Sequence, residues 1–509
     1  MRKRPLPLPD HPYDGNLQPA FLASAFSPAF PARQFSPIPV IMRIANARRK
    51  ALAALLLTAC HRATNQPLAA AEKPACQLPT AAQPVSLAST PVVDPAATFD
   101  SAWTIIKRTH WDTTYNGVDW DRVRTELRPK AAAAQTTGEL RSVMSDMVSR
   151  LRQSHFSIIP REASDGAPGA STGSASTSTR TGATGVTLRF VDNQLLVTQV
   201  EAGSPAERAG VRTGYVLQAV EGCLLAPRLA RLPESLGERR VAFTSASVGM
   251  QALAGPVGDS VHATFIDGNG AVKTFALVRE AEEGTLVRFG NLPPRIANLD
   301  WERRVIGGRT IGIIRWNIWM PILARQFDVA IDSLRSSDAI LLDIRGNPGG
   351  VGGMAMGFAG HFLDSTHTIG VMKQRGTNDL RFVANPRLVN SSNQRVQPFA
   401  GPLGLIVDEG SVSTSEIFAE GMQAMGRARV FGTQTTGQAL PSIAERLPNG
   451  DILYHAIANF VSPTGKQIEG NGVVPDVEAG PTRKTLLEGK DTALDAALAW
   501  AASQPRRAM

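Results

Sequence analysis

Seven residues without a polar side chain, 401–407 (Gly-Pro-Leu-Gly-Leu-Ile-Val), run directly into Asp408-Glu-Gly-Ser-Val-Ser-Thr-Ser-Glu416 and then into a helix-like stretch, 417–425. The first run is too short for a buried helix and too uniformly apolar for a strand with one wet face, so it reads as a strand covered on both sides. A buried strand that passes at once into a helix forces a tight turn. A serine on that turn is held out at the sheet edge, beside the N–H groups of a helix N-terminus that can hold an oxyanion. Ser413 is placed to act as a nucleophile on that reading. Ser413 and Glu416 also have the spacing of an ordinary capping box.

The same alternation extends over residues 300–480, where apolar β-runs at 311–315, 339–344, 403–407, 430–432 and 457–461 are separated by helical runs. An α/β core with a largely buried sheet is expected there. Residues 94–162 read as a helical segment. Phe99, Trp103, Ile106 and Trp111 start an apolar stripe, and Val123, Leu127, Leu140, Val143, Met144, Met147, Val148 and Leu151 continue it. Asp94-Pro95 is a helix start, and 112–119 is a loop. A Ser/Gly/Thr tract at 163–184 reads as a flexible linker. Residues 185–283 alternate as short strands, the clearest at 185–190 and 194–200, and predict a small, mostly-β domain. Residues 481–509 form a C-terminal helix and tail.

The chain carries a net charge of +9, and residues 1–59 hold eight Lys/Arg against two acidic residues, so six of the nine charges lie there. The remainder shows no basic stripe with interleaved aromatics, and no nucleic-acid partner is expected. Residues 42–50 are a basic leader followed by a short apolar run, 51–57, too short to span a bilayer. Leu57-Thr58-Ala59-Cys60 resembles a bacterial lipobox. The resemblance implies that Cys60 is lipidated and becomes the first residue, and His61 in place of Asp favours the outer membrane, periplasmic side. Residues 1–41 are expected to precede the true start at Met42, and 60–93 to be a tether. An exported compartment would allow Cys76 and Cys223 to pair, and the sequence leaves that open. No cofactor or metal is expected: no Cys pair, His-x-x-x-His or His-Glu-x-x-His spacing occurs.

After the β-run ending at Ile344 comes Arg345-Gly-Asn-Pro-Gly-Gly-Val-Gly-Gly353. Strand, glycines and helix in that order suit a dinucleotide fingerprint, which wants an acidic residue ~20 positions on. The segment 371–378 offers none in place. The other reading is an oxyanion hole, where a glycine lets a backbone N–H approach a reacting carbonyl.

Three segments together carry a resemblance: 343–350, 407–417 and Ser462-Pro-Thr-Gly-Lys-Gln-Ile-Glu-Gly-Asn-Gly-Val-Val-Pro-Asp476. In that order the chain is similar, over roughly residues 94–480, to serine peptidases of family S41, the C-terminal processing and tricorn-like group. The resemblance implies a ClpP/crotonase-like α/β core, with Ser413 as nucleophile and the N–H of Thr414 plus that of Gly349 or Gly350 as oxyanion hole. The processing branch uses a lysine base; the matching segment here, Thr435-Thr-Gly-Gln-Ala439, has Gln438 in that place. The tricorn-like branch uses a histidine preceded by a serine and a glutamate before Gly-x-Gly-x-x-Pro-Asp. Ser154-His155 and Glu469 occupy those places. Residues 203–220 resemble a PDZ domain, which implies that a peptide C-terminus adds as a strand to a sheet edge, with its carboxylate near Gly185 and Val186.

The implied chemistry is acyl transfer by Ser413, with neutral His155, near its ordinary pKa of ~6.5, as base. Glu469, through the Ser154 hydroxyl, fixes the imidazole. The implied protein is an exported, lipid-anchored endopeptidase acting on unfolded or tail-presented protein. The alternative is an inactive PDZ scaffold that binds protein C-termini, and Gln438 motivates it. His110, His361 and His455 read as structural, Lys466 is a fallback base, and Asp343 and Arg345 pair or cap the nearby loop.

Overall fold

The structure, a computed structural model, describes residues 92, 94–165, 181–233 and 236–505. The calls on 1–59, on Cys60 and Cys76, on nearly all of 60–93 and on the middle of 163–184 lie outside those residues. Cys223 is disulfide-bonded.

Three helices come first: α1 (Pro95–Thr109), α2 (Trp120–Ala132) and α3 (Thr137–Ser149). Asp94 caps α1 by accepting the Ala97 N–H at 3.0 Å, and a Thr136–Glu139 capping box opens α3. Their apolar stripes meet in one cluster of Phe99, Trp103, Ile106, Leu127, Leu140, Met144 and Leu151. A short strand, β1 (Ser157–Ile159), follows.

Residues 185–283 hold an antiparallel sheet in the order β2 (Val186–Val191), β3 (Gln194–Val200), β4 (Val216–Val220), β5 (Ser260–Ile266), β6 (Val272–Val278). Against it lies a 16-residue helix, α4 (Glu238–Leu253), where only short strands were expected. Its inner face is Ser245, Ser247, Gly249, Met250, Ala252 and Leu253. Small residues replace an apolar stripe because the helix sits close to the sheet: a side chain on Gly249 would come within 2.9 Å of Leu188. The expected linker also ends in order, since Thr181–Ala183 pairs with Gly255–Pro256 and with Glu280–Ala281.

The large sheet comprises β7 (Leu299–Ile306), β8 (Arg309–Trp316), β9 (Ala339–Asp343), β10 (Leu403–Val407), β11 (Arg429–Gly432) and β12 (Val477–Glu478), side by side in that order. Only the β7–β8 pair is antiparallel. Ile340, Leu342 and Leu405 face one cluster, which includes Phe327 and Phe358. Ala339, Leu341 and Ile406 face another, closed by Ala493, Leu494 and Leu498 of the helix Thr492–Ser503. Burial on both faces is why these strands read as unbroken apolar runs. The loops after β9 and β10, adjacent parallel strands, leave the same sheet edge side by side, where open α/β sheets place ligands.

Candidate active site

The turn after β10 carries Ser413 at φ 59°, ψ −117°, a conformation that a serine adopts only under compulsion. An ordinary N-cap has extended backbone, so Ser413 is more than a cap. Compulsion comes from a dense set of bonds. Its N–H donates to the Gln438 carbonyl at 2.9 Å and to Glu416 Oε2 at 3.1 Å. Val412 N–H reaches the Asn347 carbonyl at 3.0 Å, the Ser411 hydroxyl the Ile344 carbonyl at 2.8 Å, and the Thr414 hydroxyl the Gly350 carbonyl at 2.9 Å. The glycine loop is thereby pressed onto the serine turn. A Cβ on Gly349 would stand 2.7 Å from Ser413 Cβ, and one on Gly350 2.2 Å from the Trp319 carbonyl oxygen. This close approach, with φ of 96° and 147°, is what the glycines supply.

Of the two glycine N–H groups read as alternatives, Gly349's is taken by Asn347 Oδ1 at 3.0 Å. The N–H of Gly350 donates to nothing among the described residues. Thr414 is the first residue of its helix (Thr414–Ala424), so its backbone N–H has no intrahelical acceptor and likewise donates to nothing among them.

Glu416 is fully buried and accepts four bonds, from the N–H groups of Ser413, Gly437 and Gln438 and from the Thr435 hydroxyl. Burial pushes its carboxyl up to about 7, while the four donors pull the other way. All four partners donate, which favours the ionised form.

Ser154 and His155 follow α3 at the mouth of β1, with His155 at φ 62°. Ser154 Oγ lies 2.6 Å from His155 Nδ1 and 2.7 Å from Glu469 Oε2. Glu469 also accepts the Ser154 N–H at 2.8 Å, the Ala439 N–H at 3.1 Å and the Arg240 guanidinium at 2.8 Å. A carboxylate only accepts, so the Ser154 hydroxyl donates to Glu469 and accepts from Nδ1–H of the histidine. Nε2 then carries the lone pair, and it is buried without a hydrogen-bond partner among the described residues. Tyr454 flanks the ring at 5.6 Å between centroids.

His155 departs from the sequence expectation in one respect. Its pKa is not near 6.5: burial, and after it the Arg240 charge, push it down to about 3. Exposure is small throughout, 5% for Ser413 and 7% for His155.

The strap 437–439 joins the two groups. Gln438 receives the Ser413 N–H, and the next residue, Ala439, donates to Glu469. Among the described residues the Gln438 side chain reaches only Thr436, at 3.0 Å. Lys466 is occupied elsewhere, 2.8 Å from Glu420. His110 bonds Gln153 and Asp112, His361 bonds Asp328 and His455 bonds Glu445. Asp343 and Arg345 pair at 2.7 Å. Gly185, at φ 78°, sits against Ser204, and Val186 is buried where β2 begins. Sequence reasoning missed Asn347, Arg240 and Arg189. Arg189 reaches from β2 to Glu409 and, at 2.8 Å, to Thr433. Asn347 lies within the 343–350 motif, but no local motif marks Arg240 or Arg189.

Residues 310–479 match the profile of Peptidase family S41, and residues 91–149 that of the tricorn protease C1 domain. The chain is an S41-family serine peptidase. It is 28% identical over 416 residues to carboxyl-terminal-processing peptidase 3, chloroplastic, of Arabidopsis thaliana, a match covering 78% of this chain and 71% of that protein. It is 24% identical over 322 residues to a probable CtpA-like serine protease of Staphylococcus aureus, covering 60% of this chain and 56% of that protein. The solved photosystem II D1 C-terminal processing protease superposes with a TM-score of 0.52 at 19% identity, over 79% of this chain and 99% of that one, which shows a shared fold. As an S41 serine peptidase the protein is a hydrolase whose substrates are proteins or peptides.

Proposed function

We propose that this peptidase is an endopeptidase working through a Ser413–His155–Ser154–Glu469 relay. The observation that carries the reading is the chain of contacts Glu469–Ser154–His155, which leaves the buried Nε2 without a hydrogen-bond partner among the described residues, Ser413 included, while the 437–439 strap links the Ser413 turn to Glu469. Neutral His155 takes the Ser413 proton as the hydroxyl attacks a peptide carbonyl. The unpaired N–H groups of Gly350 and Thr414 receive the oxyanion. Imidazolium is stabilised through Ser154 by Glu469, then protonates the leaving amine, and water resolves the acyl-enzyme. Gln438 stands where a lysine would serve, and its contribution is its backbone carbonyl.

The 185–283 segment serves as a PDZ-like peptide binder. In its favour, β2 is an edge strand of its sheet, with α4 packed beside it and Gly185-Val186 at its start. A peptide tail can add there as a further strand. Residues 42–60 fit a lipoprotein leader, so the enzyme is read as exported and anchored through Cys60 at the bacterial outer membrane, periplasmic side.

The test is proteolysis of casein and of a peptide pool with free C-termini, read by mass spectrometry, with Ser413→Ala and His155→Ala alongside. Cleavage lost in both variants supports the relay. Peptide binding without cleavage in the unaltered protein would move the reading to the inactive scaffold. Membrane release on Cys60→Ser tests the anchor.

A further inference from the structure

Glu469 has one cationic partner among the described residues, and it does not come from the peptidase core. Arg240 lies on α4, whose inner face packs into the core of the 185–283 segment through Met250, Ala252 and Leu253. Its Nη2 sits 2.8 Å from Glu469 Oε1 and 3.2 Å from the Gly437 carbonyl. The preceding residue, Arg239, holds the Gly470 carbonyl at 3.1 Å. The first turn of α4 is therefore seated on both the 437–439 strap and the loop that bears Glu469.

The bonding pattern makes the placement consequential. Arg240 and the Ser154 N–H hold Oε1, which leaves Oε2 aimed at the Ser154 hydroxyl. That aim directs the hydroxyl proton toward Glu469 and so decides which nitrogen of His155 carries hydrogen. A guanidinium on one oxygen of a buried carboxylate also fixes its rotation and supplies the countercharge it otherwise lacks.

Building on the relay proposed above, we infer that Arg240 is a positioning residue for hydrolysis, supplied to the Glu469–Ser154–His155 relay by the peptide-binding segment. Its role acts through Glu469 and leaves substrate untouched. The groups facing His155 are Ser154, Tyr454, Glu469 behind Ser154, and Arg240. Tyr454 is occupied by the Ser442 hydroxyl at 2.6 Å. Removing the Arg240 charge leaves the Glu469 charge uncompensated. Both changes favour imidazolium, so the pH below which the base is lost rises.

The experiment uses the full chain with Arg240→Gln and Arg240→Lys, beside Glu469→Gln and His155→Ala. It reads kcat and KM on one cleaved peptide between about pH 2.5 and 9, together with the melting temperature. For Arg240→Gln we expect kcat at pH 7 to fall about 10- to 100-fold, as for loss of other orienting partners. KM should hold within about threefold, and the acid limb of kcat/KM should move up by about one unit. Arg240→Lys restores the charge and should recover most of kcat, which also serves if Arg240→Gln folds poorly. A folded Arg240→Gln enzyme with the original kcat and acid limb overturns the inference, as does a loss confined to KM. If Glu469→Gln and His155→Ala remain active, the relay itself is wrong and the inference goes with it. Inactivity of those two beside a normal Arg240→Gln removes the inference alone.

Discussion

The two halves of the site are built in opposite ways. The nucleophile half is made by neighbours: β9 and β10 pair in parallel, their loops emerge together, and 345–350 and 408–415 lock each other through backbone and hydroxyl bonds. The relay half is assembled from afar. Ser154-His155 leaves the helical segment, Glu469 lies 315 residues later, and Arg240 arrives from a separate core. The nucleophile geometry is therefore a product of sheet formation, whereas the relay geometry is a product of docking between units. A defect in the first half should cost stability as well as activity, and a defect in the second should cost activity first.

The largest effect is expected from Ser413→Ala, which should lower peptide hydrolysis by about 10⁴-fold or more. Alanine keeps the Cβ, the backbone strain and the Ser413 N–H bonds, so its melting temperature should stay near that of the unaltered protein, which separates loss of the reacting hydroxyl from a defect in the scaffold around it. A residual rate within tenfold would sink the nucleophile assignment. Glu469→Gln should follow with a loss of about 10³-fold in kcat, because its amide nitrogen must face one of four donors, the Ser154 hydroxyl among them. Equal loss of fold and activity would erase the contrast between the halves. Glu416→Gln tests the other side: its amide nitrogen must face at least one of four donors, so unfolding by denaturant should show a loss of about 3 kcal/mol.

The pH profile sharpens the same comparison. His155 is pushed down to about 3, so the free enzyme keeps a neutral imidazole through the whole neutral range. With its pKa lowered, the acid limb of kcat/KM should lie below about pH 5. A limb between 6 and 7 would mean that water reaches the ring and that the relay half is open in solution. The smallest effect is expected from Gln438→Ala, within about threefold in kcat/KM, since the backbone carbonyl survives the change. A loss near that of Ser413→Ala would give the side chain a catalytic role.

What could be read beforehand follows the same division. Strands such as Leu403–Val407 were legible because burial on both faces leaves no polar residue in them, and Ser413 was legible because it sits where such a strand turns. His155 and Glu469 were legible only through motifs, since 314 residues separate them. The strand Leu299–Ile306 was missed because as a sheet edge it leaves Trp301 and Val305 exposed between charges, and α4 because Ser245, Ser247 and Gly249 interrupt its buried face before Met250, Ala252 and Leu253. Arg240 had no signal at all: its meaning comes from where α4 docks.

The strap 437–439 has a practical reading. One N–H bond ties it to Ser413 and another ties it to Glu469, with a single residue step between them. An adduct formed on the serine therefore pulls on a backbone that also grips the carboxylate. Amide hydrogen exchange at Ala439 becomes an internal gauge of occupancy, readable without a chromogenic substrate and before any natural one is known.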